Sequence, residues 1–95
     1  MRLKTEYIKF LKRAIKEYLP DATIYLIGSR VNDDLKGGDI DILVIDEKEL
    51  SAQQKRNIKI AFYKELGEQK LDIVSIGKND QSIFRELALL DSVKL

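Results

Sequence analysis

Residues 28–46 read GSRVNDDLKGGDIDILVID, and the interpretation of the whole chain starts from this stretch. A hydrophobic run ends in Gly-Ser, a polar loop follows, and a second hydrophobic run opens with Asp39 and Asp41. Because side chains at i and i+2 share one face of a strand, these carboxylates are expected to project together from a sheet edge. Like charges repel and carboxylates are costly to bury, so the pair predicts a divalent cation. The alternative is a solvated strand end or an ordinary turn.

Composition narrows the chemistry available to such a site. The 95 residues are 44% hydrophobic and 35% charged, which predicts a single soluble domain over residues 1–95. The chain has no cysteine and no histidine. Disulfides, thiolate or imidazole metal sites and a Ser-His-Asp triad are therefore excluded. Any metal must bind oxygen ligands, which favours Mg²⁺, Mn²⁺ or Ca²⁺.

Charge is distributed unevenly along the chain. Residues 1–20 carry six basic and two acidic side chains. Residues 21–50 carry three basic and eight acidic side chains, and residues 51–95 carry eight basic and six acidic ones. An acidic centre between basic flanks suits a cation site that meets an anionic ligand, whereas a nucleic-acid binder is usually basic overall. Nucleic acid is therefore not expected as a direct ligand. The longest uncharged run, residues 22–29, is too short for a membrane span, and the charged N-terminus lacks a signal-peptide pattern, so we expect a cytoplasmic protein.

Hydrophobic periodicity predicts helices alternating with strands. Residues 3–19 form an amphipathic helix that ends before Pro20, and residues 22–27, 39–46 and 71–76 form strands. This order, α-β-(turn)-β-α-β-α, predicts an α/β (α+β) fold with a small mixed sheet of three or slightly more strands flanked by helices.

Two further helices complete the prediction. One follows a capping box formed by Ser51 and Gln54 and ends near Leu66, with Gly67 after it. The last is capped by Asn79 or Asp80 and runs to about Leu90. Its predicted inward face consists of Ile83, Phe84, Leu87 and Leu90.

Three further features extend the candidate site. Asp72 is the only charged residue in the apolar run 71–76, and it would lie beside Asp39 and Asp41 if the third strand paired with the second. Its alternative role is an edge-strand acid that discourages aggregation. Gly28 and Ser29 can bring backbone and hydroxyl donors close to a phosphate. The alternative interpretation of these two residues is a plain turn that ends the strand. Arg30 would add a charged contact, or else form a surface salt bridge.

These residues together resemble the signature of the DNA polymerase beta-like nucleotidyltransferase superfamily. Gly28-Ser29, nine residues, Asp39-Ile40-Asp41 and a later strand acid, Asp72, match its pattern. The short chain is similar to the minimal nucleotidyltransferase (MNT) branch. The resemblance covers roughly residues 20–76, and the flanking helices also fit it.

The resemblance implies a reaction and its participants. An enzyme of this kind transfers NMP, with ATP favoured as donor, to a hydroxyl, and uses one or two Mg²⁺ ions, with Mn²⁺ as an alternative. Asp39, Asp41 and Asp72 would be the catalytic and metal-binding residues, while Gly28, Ser29 and Arg30 would bind the nucleotide. The branch is commonly paired with a helical HEPN protein, and some pairs are toxin–antitoxin systems. A homo-oligomer is also compatible with the sequence.

One departure from the family pattern favours a rival function. The loop after Gly-Ser often carries a second arginine in the family, whereas here Asn32 to Lys36 include two acids. Such a loop should hold a triphosphate less well. The rival is a non-catalytic binding module that neutralises or assembles with a helical partner by contact, which the short chain also favours.

Overall fold

The structure, a computed structural model, describes residues 4–28, 40–67, 70–90 and 92–95. Helices and strands alternate along most of these ranges. In chain order they are α1 (Thr5–Tyr18), β1 (Thr23–Ile27), β2 (Ile40–Asp46), α2 (Ala52–Leu66), β3 (Leu71–Gly77), α3 (Ile83–Leu90) and β4 (Val93–Lys94). The predicted α/β order is confirmed, and β4 is an addition to it.

The described strands form one mixed sheet in the order β3-β2-β1-β4. β1 pairs antiparallel with β2, and β4 pairs antiparallel with β1. β2 and β3 are parallel, and α2 forms the crossover that a parallel pair requires. Because they are parallel, β2 and β3 begin at the same edge of the sheet, which is also the edge where β1 ends.

The main core lies between one face of the sheet and the helices α1 and α2. Strand residues at alternate positions point into it, as the two-residue period of a strand requires. Phe62 of α2 is fully buried there, and its ring meets those of Tyr7 and Phe10 edge to face. The main buried members from the strands are Ile24, Leu26, Ile40, Ile42, Val44, Leu71 and Ile73.

The ends of α2 follow the predicted chemistry. The Ser51 hydroxyl accepts a hydrogen bond from the Gln54 N–H at 3.1 Å, and the Gln54 side chain accepts one from the Ser51 N–H at 2.9 Å. This reciprocal pair is the predicted capping box, and it satisfies donors that a helix leaves without partners. Gly67 ends the helix with φ of +99°, a conformation that disfavours any residue with a Cβ.

The predicted start of α3 was wrong by a few residues. The helix begins at Ile83, and the Ser82 hydroxyl accepts a hydrogen bond from the Arg85 N–H at 3.2 Å. Asp80 caps the preceding turn instead, because its carboxylate accepts a 2.7 Å bond from the Ser82 N–H. Hydrogen bonds from the Ser82 side chain and from its backbone N–H lower the pKa of Asp80.

The predicted inward face of α3 was also wrong. Ile83 and Leu90 expose 73% and 75% of their area, and Phe84 and Leu87 are exposed as well. Ala88 and Leu89 instead pack on the second face of the sheet. The buried members of that smaller cluster are Ile27, Leu43, Ile45 and Ile76. The octapeptide IFRELALL is amphipathic, and the side of it that lies less exposed carries Arg85, Ala88 and Leu89. Periodicity indicated the opposite side because it assumes that the more apolar side of a helix is the buried one.

No helix within the described ranges is long and apolar enough to cross a membrane.

Candidate metal and nucleotide site

Asp41 and Asp72 lie directly opposite each other on neighbouring strands. The parallel register of β2 and β3 pairs Asp41 with Asp72, so both side chains point to the same face of the sheet. Each residue is second in its strand, at the edge where both strands begin, and each is half-buried. Like charges in this arrangement are destabilising unless a cation lies between them.

Gly28 lies against the first of these carboxylates. The antiparallel register pairs Ile27 with Asp41, and Gly28 follows with φ of +78°. A Cβ built at Gly28 would overlap Oδ2 of Asp41 and lie 3.3 Å from its Cγ. Only glycine therefore fits here, both because of its backbone conformation and because the Asp41 carboxylate occupies the space of a side chain.

The wall behind the carboxylates is apolar. Along the same face of β2, Leu43 follows Asp41 and is fully buried, and Ile27 of β1 is buried beside it. The carboxylates therefore lie where a hydrophobic wall ends at the sheet edge. Charge interactions with a ligand are stronger at such a place than in bulk water, because solvent reaches the carboxylates from fewer directions.

Several predicted site residues lie outside the described ranges. These are Ser29, Arg30 and Asp39, together with the acidic loop from Asn32 to Lys36. Their assigned roles stay predictions.

The donor set fits a hard divalent cation. Asp41 and Asp72 supply carboxylate oxygens from adjacent strands, and the chain has no histidine or cysteine to favour a softer metal. Within the described ranges no three acidic, histidine or cysteine side chains form a group able to hold a metal. The third predicted ligand, Asp39, precedes Asp41 by two residues and lies outside those ranges.

Comparison with known families matches residues 8–91 to the nucleotidyltransferase domain. The chain belongs to this family. It is a nucleotidyltransferase, as the spacing of Gly-Ser, Asp-x-Asp and a later strand acid indicated. No curated protein matches the chain.

Two solved structures share the nucleotidyltransferase fold. One is the crystal structure of a mutant of the toxin–antitoxin MntA-HpeT, which is 19% identical with a TM-score of 0.73. The match covers 98% of this chain and 72% of that one. The other is a putative nucleotidyltransferase from Sulfolobus solfataricus, which is 21% identical with a TM-score of 0.55. That match covers 94% of this chain and 78% of the other. The predicted polymerase beta-like fold is confirmed.

Two basic grooves on this nucleotidyltransferase lie outside the predicted site. One is lined by Ala52, Lys55, Arg56, Lys59 and Ile73, between α2 and β3, with a volume of about 310 Å³. The other lies between α1 and the β1–β4 pair, and includes Lys12, Lys16 and Lys94. A lysine four residues after another on a helix indicates a shared face. Only the folded chain shows which strand lies beneath that face of the helix.

Proposed function

We propose that this nucleotidyltransferase transfers NMP, with ATP as the favoured donor, to a hydroxyl group on a partner protein in a Mg²⁺-dependent reaction. The observation that carries the proposal is the pairing of Asp41 with Asp72 at one sheet edge, with Gly28 held against Asp41. Residues 1–95 would act as a single domain, which the family match over residues 8–91 supports.

Each residue has a defined task in this reaction. Asp41 and Asp72, with Asp39, would hold one or two Mg²⁺ ions, for which Mn²⁺ can substitute. Bound metal supplies positive charge to the reacting phosphate. Gly28 lets the triphosphate approach the backbone, and Ser29 and Arg30 would donate to its oxygens.

The transfer itself is a displacement at phosphorus. The acceptor oxygen forms a new bond to the α-phosphorus. The bond between the α-phosphorus and the oxygen that bridges it to the β-phosphate breaks. Pyrophosphate leaves with that electron pair, and the hydroxyl proton passes to the Asp72 carboxylate and then to water.

A protein partner is favoured on two grounds. One structure of similar fold is described as a toxin–antitoxin, and the sequence resemblance adds a HEPN-type helical protein as the partner. In addition, α3 exposes the large apolar side chains of Ile83, Phe84, Leu87 and Leu90. Exposed apolar patches of this kind mark interaction sites in soluble proteins.

The test is transfer of label from α-³²P-ATP to a co-expressed HEPN-type protein. Wild-type protein and the surface control Asp21→Asn should label the partner, whereas Asp41→Asn should not. Asp21 is an exposed acid in the turn before β1, so its variant matches the loss of one charge. Equal labelling by all three proteins would refute the proposed role of Asp41.

The exposed face of α3 also favours a second candidate, a module that neutralises a helical partner by contact alone. This candidate predicts that Asp41→Asn binds and neutralises the partner as well as wild type. It fails if Asp41→Asn binds normally but no longer neutralises.

A further inference from the structure

β3 is the outermost strand of the sheet on the side of Asp72. Among the described strands only β2 pairs with it. The Lys70 carbonyl accepts a hydrogen bond from the Ile40 N–H at 2.9 Å, so the backbone groups of residue 70 point toward β2. Because strand residues alternate, the backbone groups of Leu71, Ile73 and Ser75 point away from β2. This outer side is a row of donors and acceptors with the spacing of a peptide strand.

The basic groove beside α2 runs along the same strand. Lys55, Arg56 and Lys59 line this groove together with Ile73, and none of the three forms an ion pair within the described part of the chain. Ile73 points to the α2 face of the sheet, whereas Asp72 points to the opposite face. The edge of β3 therefore has carboxylates on one face and cations on the other.

These two faces set requirements for any strand that pairs with β3. A residue placed opposite Asp72 points to the carboxylate face, and its neighbour opposite Ile73 points to the lysine face. We propose that the β3 edge binds an extended acidic segment of the acceptor protein by strand addition. A hydroxyl residue lies opposite Asp72, and an acidic residue next to it meets Lys55, Arg56 and Lys59.

The strand edge favours a peptide over a nucleic acid as occupant. Its outward groups alternate N–H and C=O, and a peptide backbone satisfies both, as in other cases of strand addition. A phosphodiester backbone offers acceptors alone and would leave the carbonyls of β3 without donors. The cations then select acidic segments among peptides.

This arrangement would deliver the acceptor group to the reacting phosphate. Adjacent strands lie about 4.8 Å apart, so a Ser, Thr or Tyr oxygen opposite Asp72 is within reach of its carboxylate. The chemical step is the displacement given above, with the peptide oxygen as nucleophile and pyrophosphate as leaving group. Only this delivery step rests on the proposed function, since binding of the peptide needs neither nucleotide nor metal.

Amide hydrogen exchange with a synthetic peptide tests the binding directly. The peptide alternates Thr and Glu over ten positions, and its control has the same composition with Thr and Glu grouped in separate blocks. The alternating peptide should slow exchange of the Leu71, Ile73 and Ser75 amides at least about tenfold. The Asp72 and Val74 amides, which point toward β2, are the internal reference. Unchanged exchange at the three outward amides, or equal protection by both peptides, would overturn the proposal.

Charge-reversal variants test the groove. Lys55→Glu/Lys59→Glu should weaken peptide binding by roughly tenfold, because two favourable charge contacts become repulsive. Lys12→Glu/Lys16→Glu is the matched control, since it reverses two lysines at the same spacing in the other groove, and it should bind within about twofold of wild type. Equal losses in both variants would refute the assignment. So would displacement of the peptide by a single-stranded oligonucleotide, which would mark the groove as a nucleic-acid site.

The two proposals fail in different ways. If the proposed function is wrong, label transfer is absent while the peptide still protects β3. If strand addition is wrong, the peptide leaves β3 unprotected while the protein still binds metal and nucleotide.

Discussion

Replacement of Gly28 by alanine tests the contact between β1 and the candidate metal site. A Cβ at this position would overlap Oδ2 of Asp41 and lie 3.3 Å from its Cγ. The carboxylate would have to withdraw by about 1 Å to reach an ordinary contact distance. A displacement of this size in a reacting geometry lowers rates by about 100-fold. The backbone conformation, φ of +78°, adds about 1–2 kcal/mol of strain for an alanine.

Gly67→Ala is the matched control for this experiment. Gly67 also has a positive φ, +99°, but a Cβ there would meet no atom within 4 Å. Both variants should lose about 1–2 kcal/mol of stability from strain. Only Gly28→Ala should lose label transfer and divalent-metal affinity per folded molecule.

The assay combines denaturant unfolding with transfer of α-³²P label at matched folded concentration. If Gly28→Ala transfers label as fast as Gly67→Ala, the contact with Asp41 has no role in the site. Equal losses of activity in the two variants would attribute the effect to backbone strain alone.

Three further predictions concern stability and its pH dependence. Ser75→Ala should lower the free energy of unfolding by about 1–3 kcal/mol, because the buried Leu50 N–H loses its 2.8 Å hydrogen bond to the Ser75 hydroxyl. In urea titrations, Ser75→Thr should lose less stability than Ser75→Ala, since threonine keeps the hydroxyl. Ser51→Ala should cost about 1 kcal/mol by removing the cap of α2, and an unchanged urea midpoint would contradict the role of the capping box. Hydrogen bonds from the Ser82 side chain and from its backbone N–H lower the pKa of Asp80 below its ordinary value of 3.8. Their stabilisation is therefore present above that pH and is lost as the pH falls through the folded-state pKa. Asp80→Asn should therefore flatten the pH dependence of unfolding in the acid range, and an identical slope in both proteins would refute this.

Much of the fold was predictable because local signals and tertiary packing agree. Side chains alternate between the two faces of a strand, so Asp72 shares a face with Asp41 once β3 pairs with β2; the structure then sets the two residues directly opposite each other. The capping box of Ser51 and Gln54 is a local pattern and needed no tertiary information.

Other features depend on contacts that no local pattern reveals. The inward face of α3 was mispredicted because periodicity places the more apolar side of a helix inward, whereas this helix packs on the sheet through Ala88 and Leu89 and leaves its apolar stripe exposed. The two-residue strand β4 is too short to show a period, and its existence depends on pairing with β1. The lack of room for a side chain at Gly28 and the groove that includes Ile73 both arise from contacts between residues distant in sequence.

Metal binding by the carboxylate pair tests the central claim most directly. Electron paramagnetic resonance of Mn²⁺, titrated in the presence of a non-hydrolysable ATP analogue, reports affinity without any acceptor. We expect wild type and Asp21→Asn to bind alike, and Asp41→Asn and Asp72→Asn each to lose at least about tenfold in affinity. The metal-free Asp72→Asn protein should be as stable as wild type or more so, because two opposed negative charges become one. Undiminished Mn²⁺ affinity in both carboxylate variants would contradict the assignment of this sheet edge as the metal site.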